Sequence, residues 1–318
     1  MDIRTLADNI QKETEKIIVG KADRIRLILA AVLSNGHVLL DDLPGVGKTT
    51  LVKTLSRALG CPMGRIQFVP DLLPADIVGM KIYDQKIGDF RTVQGPVMTN
   101  LLLADEINRA MPRTQAALLE AMEERQVSID GETIALPRPF LVLATQNPVE
   151  GESTFRLPAA QMDRFLVRMS LGYPAPDEER RMLKTLGDEI PFSSVRAVTD
   201  AGEIVAAQKQ LAGVFVSDAV ADYIVAIADA SRRHPQLKMG ASPRAARGLY
   251  RAVKVWAAMD GRDYATPDDV KALAHPVLAH RMVLRSGTRM NGVTVDDVLD
   301  EILSSVDPAP SAGQLADE

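Results

Sequence analysis

The run HVLLDDLPGVGKTT, residues 37–50, constrains this chain more than any other stretch. A short apolar segment from His37 to Asp42 feeds a loop holding Gly45, Gly47, Lys48 and Thr49, and LVKTLSRAL continues as a helix that Gly60 ends. Strand, glycine-rich loop and helix in that order make a phosphate-binding loop. The glycines let the backbone turn its N–H groups inward, Pro44 stiffens the approach, Lys48 reaches the outer phosphates and Thr49 offers a hydroxyl to Mg2+. The pattern G-x-x-x-x-G-K-[ST] asks for glycine at position 42 and meets Asp42 instead. A carboxylate aimed at the phosphates would repel them, so Asp42 is expected to point away and cap a loop or helix N–H.

The other apolar runs set the fold class. RIQFVP, NLLLADE and FLVLATQ are short, bounded by turn or polar residues, and interleaved with helical stretches such as RTQAALLEAMEERQ. That alternation predicts an α/β fold, a doubly wound sheet with a substantial parallel part buried between helices. Helical spacing over residues 4–16 and 21–34 precedes it. Two segments read as hairpin inserts, one over 76–96 with a Gly88-Asp89 turn, the other over 126–140 around Asp130-Gly131. After Tyr173 to Pro176 helical patterns take over, and Ser242-Pro243 and Thr266-Pro267 are good helix starts. At 318 residues the chain suits two domains: a nucleotide-binding domain over 1–173 and a helical lid over 174–306, with a flexible tail over 307–318.

Composition removes several function classes. Hydrophobic residues make up 46% and charged residues 25%, as in ordinary folded proteins. A net charge of −5 and 4% aromatics argue against a sequence-independent grip on nucleic acid. Cys61 is the lone cysteine and the four histidines lack metal-ligand spacing, so neither a disulfide framework nor a zinc site is expected. The opening MDIRTLADNIQKETEK has no signal-peptide core, and no segment approaches ~18 continuous apolar residues, so the expectation is a cytoplasmic protein without membrane insertion.

Other residues supply what the loop lacks. NLLLADE carries Asp105 to the carboxyl end of a strand, where it can hold Mg2+, and Glu106 beside it can polarise an attacking water. An acid pair there also suits a helix N-terminus. FLVLATQNP ends at Asn147, whose amide can hold the same water or start a turn at Pro148. Arg164, in LPAAQMDRF, can reach a neighbouring subunit's terminal phosphate as an arginine finger, or form a surface pair. Arg244, one step inside the SPRAARGLY helix, can meet phosphate from the helical region or stay solvated.

Loop, DE strand end, Asn strand end, arginine and helical lid, in this order, resemble the AAA+ ATPases. From Ile17 to Leu284 the chain resembles the MoxR family more closely, through RIQFVPDLLPADIVG, QGPVMTNLLLADEINRA, TQAALLEAMEERQV, LATQNPVEGESTFRLPAAQMDRF and ASPRAARGLYRAVKVWA. The resemblance implies an AAA+ P-loop NTPase core with a helical lid, in a homo-oligomeric ring, a hexamer, that holds ATP between subunits and hydrolyses it. By position, Ile18, Val19 and Gly20 would line the adenine pocket. Gly45, Val46, Gly47, Lys48, Thr49 and Thr50 would wrap the phosphates after Pro44, with Thr49 and Asp105 on Mg2+. Glu106 would activate water, Asn147 would be the first sensor, Arg164 the finger in trans and Arg244 the second sensor. Arg109, in DEINR, is another candidate to approach the neighbour's nucleotide. The likeness further implies a chaperone-like remodelling or maturation factor whose hairpins meet a protein client, often with a partner carrying a von Willebrand factor A domain. Two other classes share this core: a nucleic-acid motor, disfavoured by the acidic charge, and a nucleotide-gated binding module, disfavoured by an intact Glu106.

Overall fold

A computed structural model describes residues 2–147, 155–186 and 190–308. Its first part contains α1 (Ile3–Thr14), α2 (Ala22–Leu33), β1 (Val38–Asp41), α3 (Lys48–Ala58), β2 (Met63–Gln67), α4 (Pro74–Val78), β3 (Gly79–Asp84), β4 (Asp89–Gln94) and β5 (Leu101–Asp105). There follow α5 (Pro112–Glu124), β6 (Gln126–Ile129), β7 (Glu132–Ala135), β8 (Leu141–Gln146), α6 (Ala159–Met162) and β9 (Val167–Met169). The remainder is largely helical, with α7 (Pro176–Leu186), α8 (Ala201–Gln210), α9 (Asp218–Arg233), α10 (Pro243–Met259), α11 (Pro267–Leu278), α12 (Ser286–Met290) and α13 (Val295–Ser305); β10 (Leu237–Met239) and β11 (Val283–Leu284) form a small ribbon.

Among the described residues five strands make the main sheet, in the order β2-β5-β8-β1-β9, with every pairing parallel. Each strand therefore delivers its carboxyl end to one edge. β1 lies between β8 and β9, where the direction of winding reverses and α/β sheets hold their ligands. Alternation of side chains splits the apolar runs between two layers. Leu101 and Leu103 face a core shared with α1, α2 and α3; Leu102 and Ala104 face one shared with Leu118, Leu119 and Met122 of α5.

The first of these cores continues unbroken into the helical region through Ile224 and Ile227 of α9, Leu249 and Val253 of α10, and Leu273 and Val277 of α11. The last strand of the main sheet ends at Met169, short of the boundary expected at residue 173, and one core spans both sides of it. The two expected helix starts form: Ser242 accepts from Ala245 N at 3.0 Å, and Thr266 makes a capping box with Asp269.

Two hairpins lie within the expected segments but are shorter: residues 76–78 belong to α4, and Asp89, expected in the turn, is the first residue of β4. β3 pairs with β4 from Gly79 opposite Gln94 to Asp84 opposite Asp89. β6 pairs with β7 across a two-residue turn in which Asp130 and Gly131 have φ of 46° and 84°, the left-handed pair that such turns require. Lys81 Nζ joins the hairpins at 2.8 Å from Glu132, and the first exposes Tyr83, Ile87 and Phe90. Among the described residues no helix is long and apolar enough to cross a membrane. The expected flexible tail lies outside the described residues from 309 onward.

Candidate functional site

Gly45 and Gly47 have φ of 86° and 87°, and a Cβ at either would meet nothing of the chain within 4 Å. The left-handed backbone, not internal crowding, demands glycine there. Gly47 caps α3, whose first residue is Lys48, so the helix N-terminus opens onto the loop. Lys48 Nζ donates to the backbone oxygen of Asp42 at 3.1 Å.

The Asp42 side chain turns the other way and is buried. Its Oδ1 accepts from Ser170 Oγ at 2.6 Å and Gly172 N at 2.9 Å, and its Oδ2 from Leu171 N at 2.8 Å. The expected cap of a loop N–H is therefore present, on the segment that follows β9. Removing the carboxylate would leave these donors unmet, at a cost of about 1–3 kcal/mol each before relaxation. Asp42→Ala is expected to lower unfolding stability by about 2–4 kcal/mol while ATP affinity shifts less than about tenfold, because the carboxylate faces away from the loop. Denaturant titration and nucleotide binding on the same sample check both.

An apolar pocket adjoins the loop. Ile18 and Val19 line it with Val46, Gly47 and Thr50, and three residues the sequence did not single out close it, Leu171 and Pro174 from the chain leading into α7 and Met182 from α7 itself. An apolar wall beside a helix N-terminus is suited to a purine next to its phosphates. Gly20 is not part of the lining. With φ of 71° it holds a left-handed backbone, and a Cβ there would lie 1.9 Å from Oε1 at the tip of the Glu178 side chain, which would have to turn aside.

At the end of β5 stand the acids. Thr145 Oγ1 donates to Asp105 Oδ1 at 2.7 Å and accepts from Glu106 N at 2.8 Å, which ties the two strand ends together. Arg65 Nη2 lies 2.8 Å from Asp105 Oδ2, while Gln67 Nε2 and Arg109 Nη1 donate to Glu106 Oε2 at 2.8 and 2.9 Å. Glu106 itself is left-handed, φ 57° and ψ 48°, a conformation that non-glycine residues hold mainly where surrounding structure imposes it. Asn147 follows β8 directly and is buried. Loop, Asp105, Glu106 and Asn147 thus share the carboxyl edge. The hard oxygen donors of Thr49 and Asp105 suit Mg2+.

Arg164 and Arg244 are elsewhere. They line a cavity with His37, Glu123, Arg125 and Arg281 at the opposite edge, where β1 begins. Roughly 13 Å of strand separates that edge from the loop, at about 3.3 Å per residue. Glu123 joins the two arginines, with Oε2 at 3.1 Å from Arg164 Nη2 and Oε1 at 2.9 Å from Arg244 Nη1. Neither guanidinium faces its own phosphate loop, and Arg109, the other candidate for the neighbour's nucleotide, turns to its own Glu106. Burial and the charges of Arg251 and Arg138 push Arg125 down to about 10. Burial also lowers Arg281 to about 10, where Arg244 and Arg251 work against the pull of Asp163. Both stay protonated at neutral pH, so the cavity is cationic. His37, buried at its wall and held neutral by that burial, accepts from Val142 N at 3.0 Å and so keeps its proton on Nε2, toward Met122 O.

This sheet order, with a phosphate loop after β1 and acids after β5, defines a P-loop NTPase of the AAA+ class. Residues 37–167 match the ATPase family associated with various cellular activities (AAA), and residues 229–302 match the AAA lid domain. The chain is 44% identical to the chaperone MoxR1 of Mycobacterium tuberculosis over 92% of its own length and 80% of that protein's, and 43% identical to the uncharacterised protein YeaC of Bacillus subtilis over 96% and 95%. The crystal structure of a proposed ATPase from Cytophaga hutchinsonii, 36% identical, superposes with a TM-score of 0.90 over 96% of this chain and 95% of that one. The chain belongs to the MoxR family of AAA+ ATPases.

Proposed function

We propose that this chain hydrolyses ATP in a Mg2+-dependent reaction within a hexameric ring of its own copies, and that turnover remodels or matures a protein complex in the cytoplasm. One observation supports the ring above all: the loop and acids sit at one edge of the sheet while Arg164 and Arg244 sit together at the other. A hydrolytic site built this way is complete only where one copy's arginines meet the next copy's loop, a head-to-tail contact that closes into a ring.

Within that site the base of ATP rests on Ile18 and Val19, and Lys48 with the N–H groups of Gly45 to Thr50 holds the phosphates. Thr49 and Asp105 would hold Mg2+, which would supply positive charge against the phosphates. Glu106 takes the proton of the attacking water that Asn147 helps hold, and the neighbour's Arg164 and Arg244 stabilise charge on the leaving phosphates. The likeness to a protein named as a chaperone supports a protein client, and the exposed Tyr83, Ile87 and Phe90 of the first hairpin supply an apolar contact surface for it or for a partner with a von Willebrand factor A domain.

Phosphate release with and without Mg2+, together with the mass in solution with and without ATP, tests the reading. Mg2+-dependent release and an ATP-stabilised hexamer are expected. Release that persists undiminished in chelator, or full turnover by a protein that stays monomeric, would sink it.

A further inference from the structure

Arg281 belongs to no motif used above, yet its side chain is only 4% exposed. It closes the short turn Ala279–Arg281 after α11. Its Nη2 donates to the carbonyl oxygens of Phe165 at 2.7 Å and Asp163 at 3.3 Å, and its Nε stands 3.1 Å from the Asp163 carboxylate. Asp163 and Phe165 flank Arg164. The same carboxylate accepts from Ser242 Oγ at 3.0 and 3.2 Å, and Ser242 is the cap of α10, two residues before Arg244. His280 adds a contact from Nε2 to the Phe165 carbonyl at 3.0 Å. Gly248, one turn beyond Arg244, makes room: a Cβ there would come within 3.1 Å of Arg281 Nη1.

Burying a guanidinium is costly unless its donors are met and its charge is paired. Here the Nη2 donors go to the backbone either side of Arg164 and the charge is paired with the Asp163 carboxylate, while Nε and Nη1 make no hydrogen bond. We infer that Arg281 is a positioning residue, which fixes the chain around Arg164 and, through Asp163 and Ser242, holds Arg164 and Arg244 as one unit facing the neighbouring copy's phosphate. The inference rests on the reading of Arg164 as acting in trans. It adds that the helical region, through the turn after α11, sets where that arginine points.

Arg281→Met is expected to assemble, to bind ATP with unchanged Kd, and to lose kcat by on the order of ten- to a hundredfold, since a misplacement of about 1 Å at a reacting centre costs that much. Mixed with Lys48→Ala subunits, whose arginines are intact, it should regain turnover to the level that Arg164→Ala regains in the same mixture. Such rescue marks a defect delivered to the neighbour's site; a fold defect confined to the altered subunit is not cured by its neighbours. If Arg281→Met does not assemble, Arg281→Lys, which keeps the charge beside Asp163 but loses the fork across two carbonyls, carries the same measurement. Unchanged kcat, or a loss that Lys48→Ala subunits fail to rescue while rescuing Arg164→Ala, overturns the inference. Failure to rescue Arg164→Ala as well overturns the trans reading beneath it.

Discussion

Glu106→Gln is expected to bind ATP as the parent chain does and to hydrolyse it about 10²- to 10⁴-fold more slowly, the range that a positioned general base contributes. The substitution keeps size and the left-handed backbone at position 106, and it leaves Asp105 and its bonds to Thr145 and Arg65 in place. What it removes is the basic oxygen. Its structural cost is small, because the ion pair with Arg109 is partly exposed and such pairs are worth about 0–1 kcal/mol. Single-turnover phosphate release and binding of a fluorescent nucleotide separate the two effects. Turnover within about threefold of the parent would remove Glu106 from the role of base. If the loss is as expected, the same variant held in ATP is the form from which a bound client can be recovered.

How much of this was legible in the sequence follows from the range of the interactions involved. The phosphate loop, the capped starts of α10 and α11 and the Asp130-Gly131 turn are set by residues within a few positions of one another, and each was readable. The start of β2 was not. The apolar run RIQFVP suggested residues 65–70, whereas pairing with β5 places the strand at Met63–Gln67, with Gln67 opposite Asp105. That register puts Arg65 and Gln67 beside the acids, a pair of contacts invisible without it. Thr145 sits unremarked inside FLVLATQ; its hydroxyl bridges Asp105 and Glu106 only because β8 lies beside β5. Glu123 lies unremarked in the helical stretch RTQAALLEAMEERQ, and its link to Arg244 spans 121 residues. Asp42 stood out as a broken pattern, but its partners at Ser170, Leu171 and Gly172 lie about as far along the chain. The single core that α9, α10 and α11 share with the sheet was hidden for the same reason, since helical periodicity marks a buried face without naming what buries it.

The meeting of Arg164 and Arg244 leads to the second large effect. Arg164→Ala is expected to lower kcat by about 10³-fold or more, as loss of an arginine finger does, with little change in ATP affinity. The Glu123 carboxylate gives one oxygen to each guanidinium, at 3.1 and 2.9 Å, a spacing at which the pair would share a single oxyanion. Because the pair lies at the start of β1 and the loop at its end, Arg164→Ala should damage the site of the adjacent copy and spare its own. Lys48→Ala does the reverse. Random co-assembly of equal amounts then places an intact loop against intact arginines at about a quarter of the contacts, and turnover should return to about that fraction of the parent's, from two components that are each nearly inactive. Mass measurement establishes that mixed rings have formed. Mixed rings with no gain over either variant alone would mean that Arg164 serves its own subunit or none, and the head-to-tail site would have to be abandoned.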